Sequence, residues 1–227
     1  MEHTPRRLLG TRAVATLLVV AAVCDTLEQV LSPLTGGTTY DDLTAIAHHE
    51  GQFVLSVLVG MVGTLLFVPG LLGLTARTVH RAPVASRIAA ALVCVGFPGF
   101  VGVRMGQAAE LQAVRDGLPA RSTADLVDHL SANPIGAVIV GCFLVGTVVG
   151  VVVLAVAVWR AGLPRVAAVL VGAFGIADMV TEGTVPGWIS HLLLVAGLGW
   201  IAVALVRGER ADTASERPAV APDTLAA

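Results

Sequence analysis

The chain has no lysine, one tyrosine, three cysteines and little charge of either sign: 13% of its 227 residues are Asp, Glu, Lys or Arg. A soluble domain carries about 25% charge, so a water-facing globule of this size is excluded. All 14 basic residues are arginine, and with a net charge of −2 they form no basic stripe, so no nucleic acid partner is expected. Cys24, Cys94 and Cys142 lie in separate apolar runs without metal-ligand spacing. They read as small buried hydrophobes, which excludes a disulfide or zinc framework. What is abundant is apolar sequence, at 56% of residues and a mean hydropathy of +0.84. The solvent of this chain is a lipid bilayer.

A hydrocarbon core about 30 Å thick takes about 20 helical residues to cross. Six runs approach that length: Ala13–Leu31, Phe53–Leu74, Ile88–Met105, Ile135–Trp159, Val166–Thr181 and Trp188–Val206. The fifth is short unless it starts at Pro164 and continues to Val185. Alternating ten-residue segments are missing, so a membrane barrel is excluded. The expected fold is all-α: a polytopic membrane protein of six transmembrane helices arranged as three hairpins. Residues 1–12 form the N-terminus, 13–206 a single membrane domain and 207–227 a disordered tail.

The arginines predict the orientation. Arg6, Arg7 and Arg12 precede the first run, Arg77, Arg81 and Arg87 separate the second and third, Arg160 and Arg165 the fourth and fifth, and Arg207, Arg210 and Arg217 follow the sixth. The opposite loops Ser32–Gln52 and Glu182–Gly187 have none, and Arg115 and Arg121 are balanced by Glu110, Asp116, Asp125 and Asp128. Positive-inside bias puts both termini in the cytoplasm and the protein in the plasma membrane. The basic start, apolar run and Cys24 imitate a lipoprotein signal, but Val23 fills the small-residue position and further spans follow, so no cleavage is expected.

Two short amphipathic helices are expected on the outer surface. Thr39 with Asp42, and Ser122 with Asp125, have capping-box spacing with Asp in place of Glu. Leu43, Ile46 and Ala47 share one helix face, and Leu126, Val127 and Leu130 share another. An internal repeat is suggested as well. The ungapped shift that lays Asp42-Leu43 on Asp125-Leu126 also lays Val62-Gly63-Thr64 on Val145-Gly146-Thr147 and Arg77 on Arg160. A second shift lays Arg12 on Arg165 and Asp25 on Asp178.

The ionisable residues at membrane depth are sorted to the outer side. Asp25 and Glu28 close the first span, His48, His49 and Glu50 lead into the second, and Arg104 and Glu110 lie late in the third. Asp178 and Glu182 end the fifth, and His191 opens the sixth. Charge in hydrocarbon costs about 2.5–3.5 kcal/mol on insertion scales, so these groups should face the bundle, a partner or water. Asp25 with Glu28, and Asp178 with Glu182, share helix faces, and Arg104 is the natural counter-charge for one of these acids.

Three functions fit this pattern. The groups line an outward-facing cavity that binds or transports a small solute or lipid; they hold a divalent metal such as zinc, on Asp25, His49, Asp178 and His191, for hydrolysis in the outer leaflet; or they are interfacial charges of a structural protein. No metalloprotease or rhomboid-like signature supports an enzyme. No histidine lies in mid-span, which disfavours haem. Gly146-x-x-x-Gly150 and Gly102-x-x-x-Gly106 predict close helix contacts and a route to a homo-oligomer, while Pro98 and Pro69 predict kinks.

The six runs, the His48-His49-Glu50-Gly51 start of the second and the stretch Val68-Pro-Gly-Leu-Leu-Gly-Leu74 resemble a loose group of small, uncharacterised six-helix integral membrane proteins of actinobacteria. The resemblance spans the whole chain and implies a helical membrane bundle. It implies no activity.

Overall fold

The computed structural model describes residues 9–34, 36–181 and 188–215. They are helical throughout, with no strand among them: α1 (Thr11–Leu31), α2 (Thr39–His48), α3 (Glu50–Thr78), α4 (Pro83–Arg115), α5 (Ala120–Ala132), α6 (Pro134–Leu144), α7 (Gly150–Arg160), α8 (Arg165–Thr181) and α9 (Trp188–Ser215). A π turn, Val145–Val149, joins α6 to α7. Among the described residues, five helical segments are long and apolar enough to cross a membrane: α1, α3, α4, the continuous rod Pro134–Arg160 and α9. The chain is a multi-pass membrane protein by this measure. The sixth expected run is α8, whose described length is 17 residues.

These rods make a closed ring. Successive rods α1, α3, α4, α6–α7, α8 and α9 each pack on the next, and α9 returns to lie along α1. One half of the ring interior is filled by Val14, Leu18, Leu74, Leu154, Val158, Val171, Leu198 and Ile201. Those positions lie near the end where the arginines collect. There Arg77 donates to the Gly73 and Leu9 carbonyls at 2.8 and 3.0 Å, tying α3 to the start of α1, and Arg81 donates at 3.0 Å to the Ala161 carbonyl, which the end of α7 leaves open. Gly162, at φ +79°, ends α7 in the left-handed conformation that a side chain would oppose.

Glycine sets the tightest approach between rods. A Cβ on Gly96 would stand 2.7 Å from the Gly146 Cα, and one on Gly102 would press 2.5 Å from Ile139. So α4 and the π turn touch backbone to backbone through Gly96 and Gly146, of which the small-residue spacing marks Gly146. Gly106 differs, since a Cβ there would meet open space. Pro98 and Pro69 are both accommodated inside continuous helices.

The two short helices are present with different starts. In α2 the capping box is Thr38 with Asp41, one residue before the expected pair. The Thr39 hydroxyl is engaged elsewhere, donating to Asp128 of α5 at 2.6 Å. Helix α5 begins at Ala120 after Pro119 and has no side-chain cap, so Ser122 lies inside it. Leu43 and Ile46 are buried against the bundle, but Ala47 is exposed. On α5, Thr123 and Ala124 face the chain, while Leu126 and Leu130 are exposed. Helix α9 continues past Val206 to Ser215, into the expected disordered tail, since no proline interrupts it before Pro218. The N-terminal residues 1–8, Glu182 and the tail from 216 lie outside the described residues.

Candidate functional site

The half of the ring nearest α2 is hollow. A cavity of about 950 Å³ lies between all six rods. Its floor is Leu71, Leu154, Val171 and Leu198, residues that belong to or adjoin the packed half. Its walls are apolar and aromatic, including Phe67, Phe97, Phe100, Phe143 and Phe174. Its upper rim reaches Ser32, Leu34 and Gly36 after α1, Asp42 of α2 and Trp188 of α9. The polar side chains gather below that rim in two groups.

The first group is an ion pair deep in the wall. Arg104 of α4 is 5% exposed and grips both carboxylate oxygens of Glu28 on α1. Its Nη1 also donates to Gln107 one turn on, at 2.8 Å. The guanidinium lies 5.0 Å over the Phe100 ring, an arrangement that stabilises a desolvated cation. Glycine at position 60 makes room for the pair, because any Cβ on that turn of α3 would overlap the Glu28 carboxylate. A guanidinium in a fork geometry holds a planar carboxylate more firmly than a lysine would.

The second group is centred on His191 of α9. Its Nε2 faces Asp25 of α1 at 3.2 Å, and its Nδ1 faces Ser190 Oγ at 3.2 Å and Asp178 of α8 at 3.7 Å. Ser190 also donates to Asp178 at 3.2 Å. Phe174 closes on the imidazole edge-on at 5.0 Å. Asp25 and Asp178, which the second repeat shift superposes, therefore stand on opposite sides of one histidine. A ring with a proton on each nitrogen serves both flanks, whereas a ring with one proton serves one. The Asp25 side chain is 13% exposed and that of Asp178 41%, so the group runs from the wall to the rim.

Of the ten residues singled out from the sequence, five join these two groups, four do not and one lies outside the described residues. Asp25, Glu28, Arg104, Asp178 and His191 converge on the cavity. His48 and His49 are exposed at the junction where α2 breaks and α3 begins. The break has His49 at φ −130° and ψ 38°, which turns the chain before α3 starts. Glu50 is half-exposed and bound to Arg115 at 2.7 Å, a surface tie. Glu110 lies further along α4, where Asp42 is its charged neighbour. Glu182 is outside the described residues.

The expected metal set is thus not assembled. His49 is away from the cavity, and both nitrogens of His191 already face hydrogen-bonding partners. Among the described residues no group of three or more His, Cys, Asp or Glu is arranged to hold a metal ion. Sequence reasoning missed Gly60, Phe100 and Phe174. Phe100 lies one turn before Arg104, which is the spacing that stacks side chains on a helix. No family model matches the chain, and no curated protein or solved structure is significantly similar to it.

Proposed function

We propose that the protein is a six-span plasma-membrane protein whose central cavity binds a small amphiphilic solute or lipid from the outer face, for capture or transport. The observation that carries this reading is the cavity itself. At about 950 Å³ it is at the upper end of the roughly 300–1,000 Å³ range of ligand sites, and it pairs apolar walls with a few convergent polar groups. An interfacial role for the charges would leave Glu28 and Arg104 in the headgroups, yet both are buried inside the ring.

Helix α8 is the sixth span in this reading. Its 17 described residues extend about 26 Å at 1.5 Å per residue, close to the hydrocarbon thickness, and it fills the ring between α7 and α9. With six spans the termini share a side, and the arginine-rich loops mark that side as cytoplasmic. The cavity then opens outward, beside α2 and α5, and Leu126 and Leu130 of α5 turn toward lipid.

The test is native mass spectrometry of the purified protein with straight-chain amphiphiles of differing headgroup. One equivalent is expected to bind the wild type, and Thr147→Trp, which fills the cavity from the π turn, is expected to abolish it. Wild-type protein that retains no equivalent of any of them, or Thr147→Trp protein that binds as the wild type does, contradicts the reading.

A further inference from the structure

The charges within the cavity do not balance. Arg104 and Glu28 neutralise one another in a fork, leaving Asp42 at the rim, and Asp25 and Asp178 with His191 between them. With a neutral imidazole this second group carries two negative charges, and with an imidazolium it carries one. Among the described residues no other cationic side chain lines the cavity. Asp25 stands in an apolar wall where its charge is costly, and Asp178 at the rim shares the same histidine, so the remaining negative charge favours a positive occupant. Beneath them the lining is aliphatic and aromatic down to Leu71 and Leu198, which suits an apolar body and offers ring faces to a cation.

Resting on the binding role proposed above, we infer that the cavity takes an organic cation with an apolar tail, and that this cation competes with a proton for the Asp25–His191–Asp178 group. The occupant's charge lies on the cavity side of the Asp25–His191–Asp178 group, and its tail extends toward the floor. Among the described residues, the charged and polar groups around His191 are Asp25 and Glu28 of α1, Asp178 of α8 and Ser190 of its own helix, with Arg104 of α4 behind Glu28. Protonation anywhere in this set removes negative charge from the site, so it opposes cation binding and never assists it. Where one proton is displaced per cation, affinity falls by up to about tenfold for each unit drop in pH.

The test uses three probes with the same tail: decyltrimethylammonium, whose charge is fixed at every pH, decanol and decyl sulfate. Each is titrated into the full-length protein in nanodiscs of zwitterionic lipid, with empty nanodiscs subtracted, between about pH 8 and pH 5, the range in which histidine changes charge. The cation is expected to bind at least about tenfold more tightly than the alcohol at the upper pH, to weaken as the pH falls, and to exclude the sulfate. Asp25→Asn and Asp178→Asn are expected to remove that preference and flatten the pH dependence while leaving decanol binding intact, which also shows that the variants fold. Decanol or decyl sulfate binding as tightly as the cation, or cation binding indifferent to both substitutions and to pH, overturns the inference and leaves the cavity reading standing. Failure of all three probes to bind overturns both.

Discussion

At the scale of single residues the ring depends most on a charge pair that a membrane interior should resist. Glu28 and Arg104 are both nearly inaccessible, so each is stable only because the other is there. Breaking a buried pair by removing one partner costs about 3–5 kcal/mol, whereas replacing both with apolar groups costs much less. Arg104→Met is therefore expected to destabilise the purified protein by about that amount in denaturant unfolding, and Arg104→Met combined with Glu28→Leu is expected to recover most of the loss. Equal destabilisation in the single and double variants would show that the pair contributes through packing alone. The sequence marks Arg104 as the counter-charge of an acid, because a lone cation in an apolar span has to be compensated. It does not mark Gly60, since one glycine in a Val/Leu/Gly-rich run looks like any other until the Glu28 carboxylate is seen to occupy its missing Cβ.

Among the elements, α2 shows how a short helix is fixed and where sequence reading loses resolution. Two overlapping patterns, Thr38 with Asp41 and Thr39 with Asp42, satisfy the capping spacing equally. A tertiary bond decides between them, because Thr39 turns to Asp128 and leaves Thr38 to cap. The Thr38 hydroxyl and amide hydrogen-bond Asp41 and hold its carboxyl below the ordinary carboxylate range. A carboxylate whose folded pKa is depressed contributes stability that is fully present above the unfolded pKa and is lost as pH falls through the folded one. Amide protection in the first turn of α2, corrected for intrinsic exchange, is thus expected to hold at neutral pH and to fall at acid pH. Asp41→Asn should remove that acid-dependent change. A first turn equally protected at both pH values in the unsubstituted protein would show that the cap is not what anchors α2. For the long helices the sequence reads well, since apolar length alone defines α1, α3, α4 and α9 to within a few turns. The π turn at Val145–Val149 has no sequence mark; it holds Gly146, which meets Gly96 of another helix.

For the whole molecule, the sorting of charge along the sequence becomes the division of the ring into a packed half and a hollow half. Depth along each span can be read from residue order, which is why Asp25, Asp178 and His191 are recognisable as neighbours in height. Azimuth around the ring cannot be read that way. His48 and His49 lie in the same outer region of the sequence, yet the break between helices α2 and α3 leaves both exposed, away from the cavity. The same lack of azimuth makes the four-residue metal set look plausible in sequence and leaves it unassembled in space.

The central claim is that the hollow half opens to the face opposite the arginines. Its most direct measurement is thiol labelling with a membrane-impermeant reagent, after Cys24, Cys94 and Cys142 have been replaced. Val68→Cys, on the cavity wall near the floor, should react when the reagent is added outside intact cells. Val84→Cys, exposed at the arginine end, should react only after the membrane is opened. Labelling of Val68→Cys only from the cytoplasmic side, or in neither condition, would contradict an outward-opening cavity.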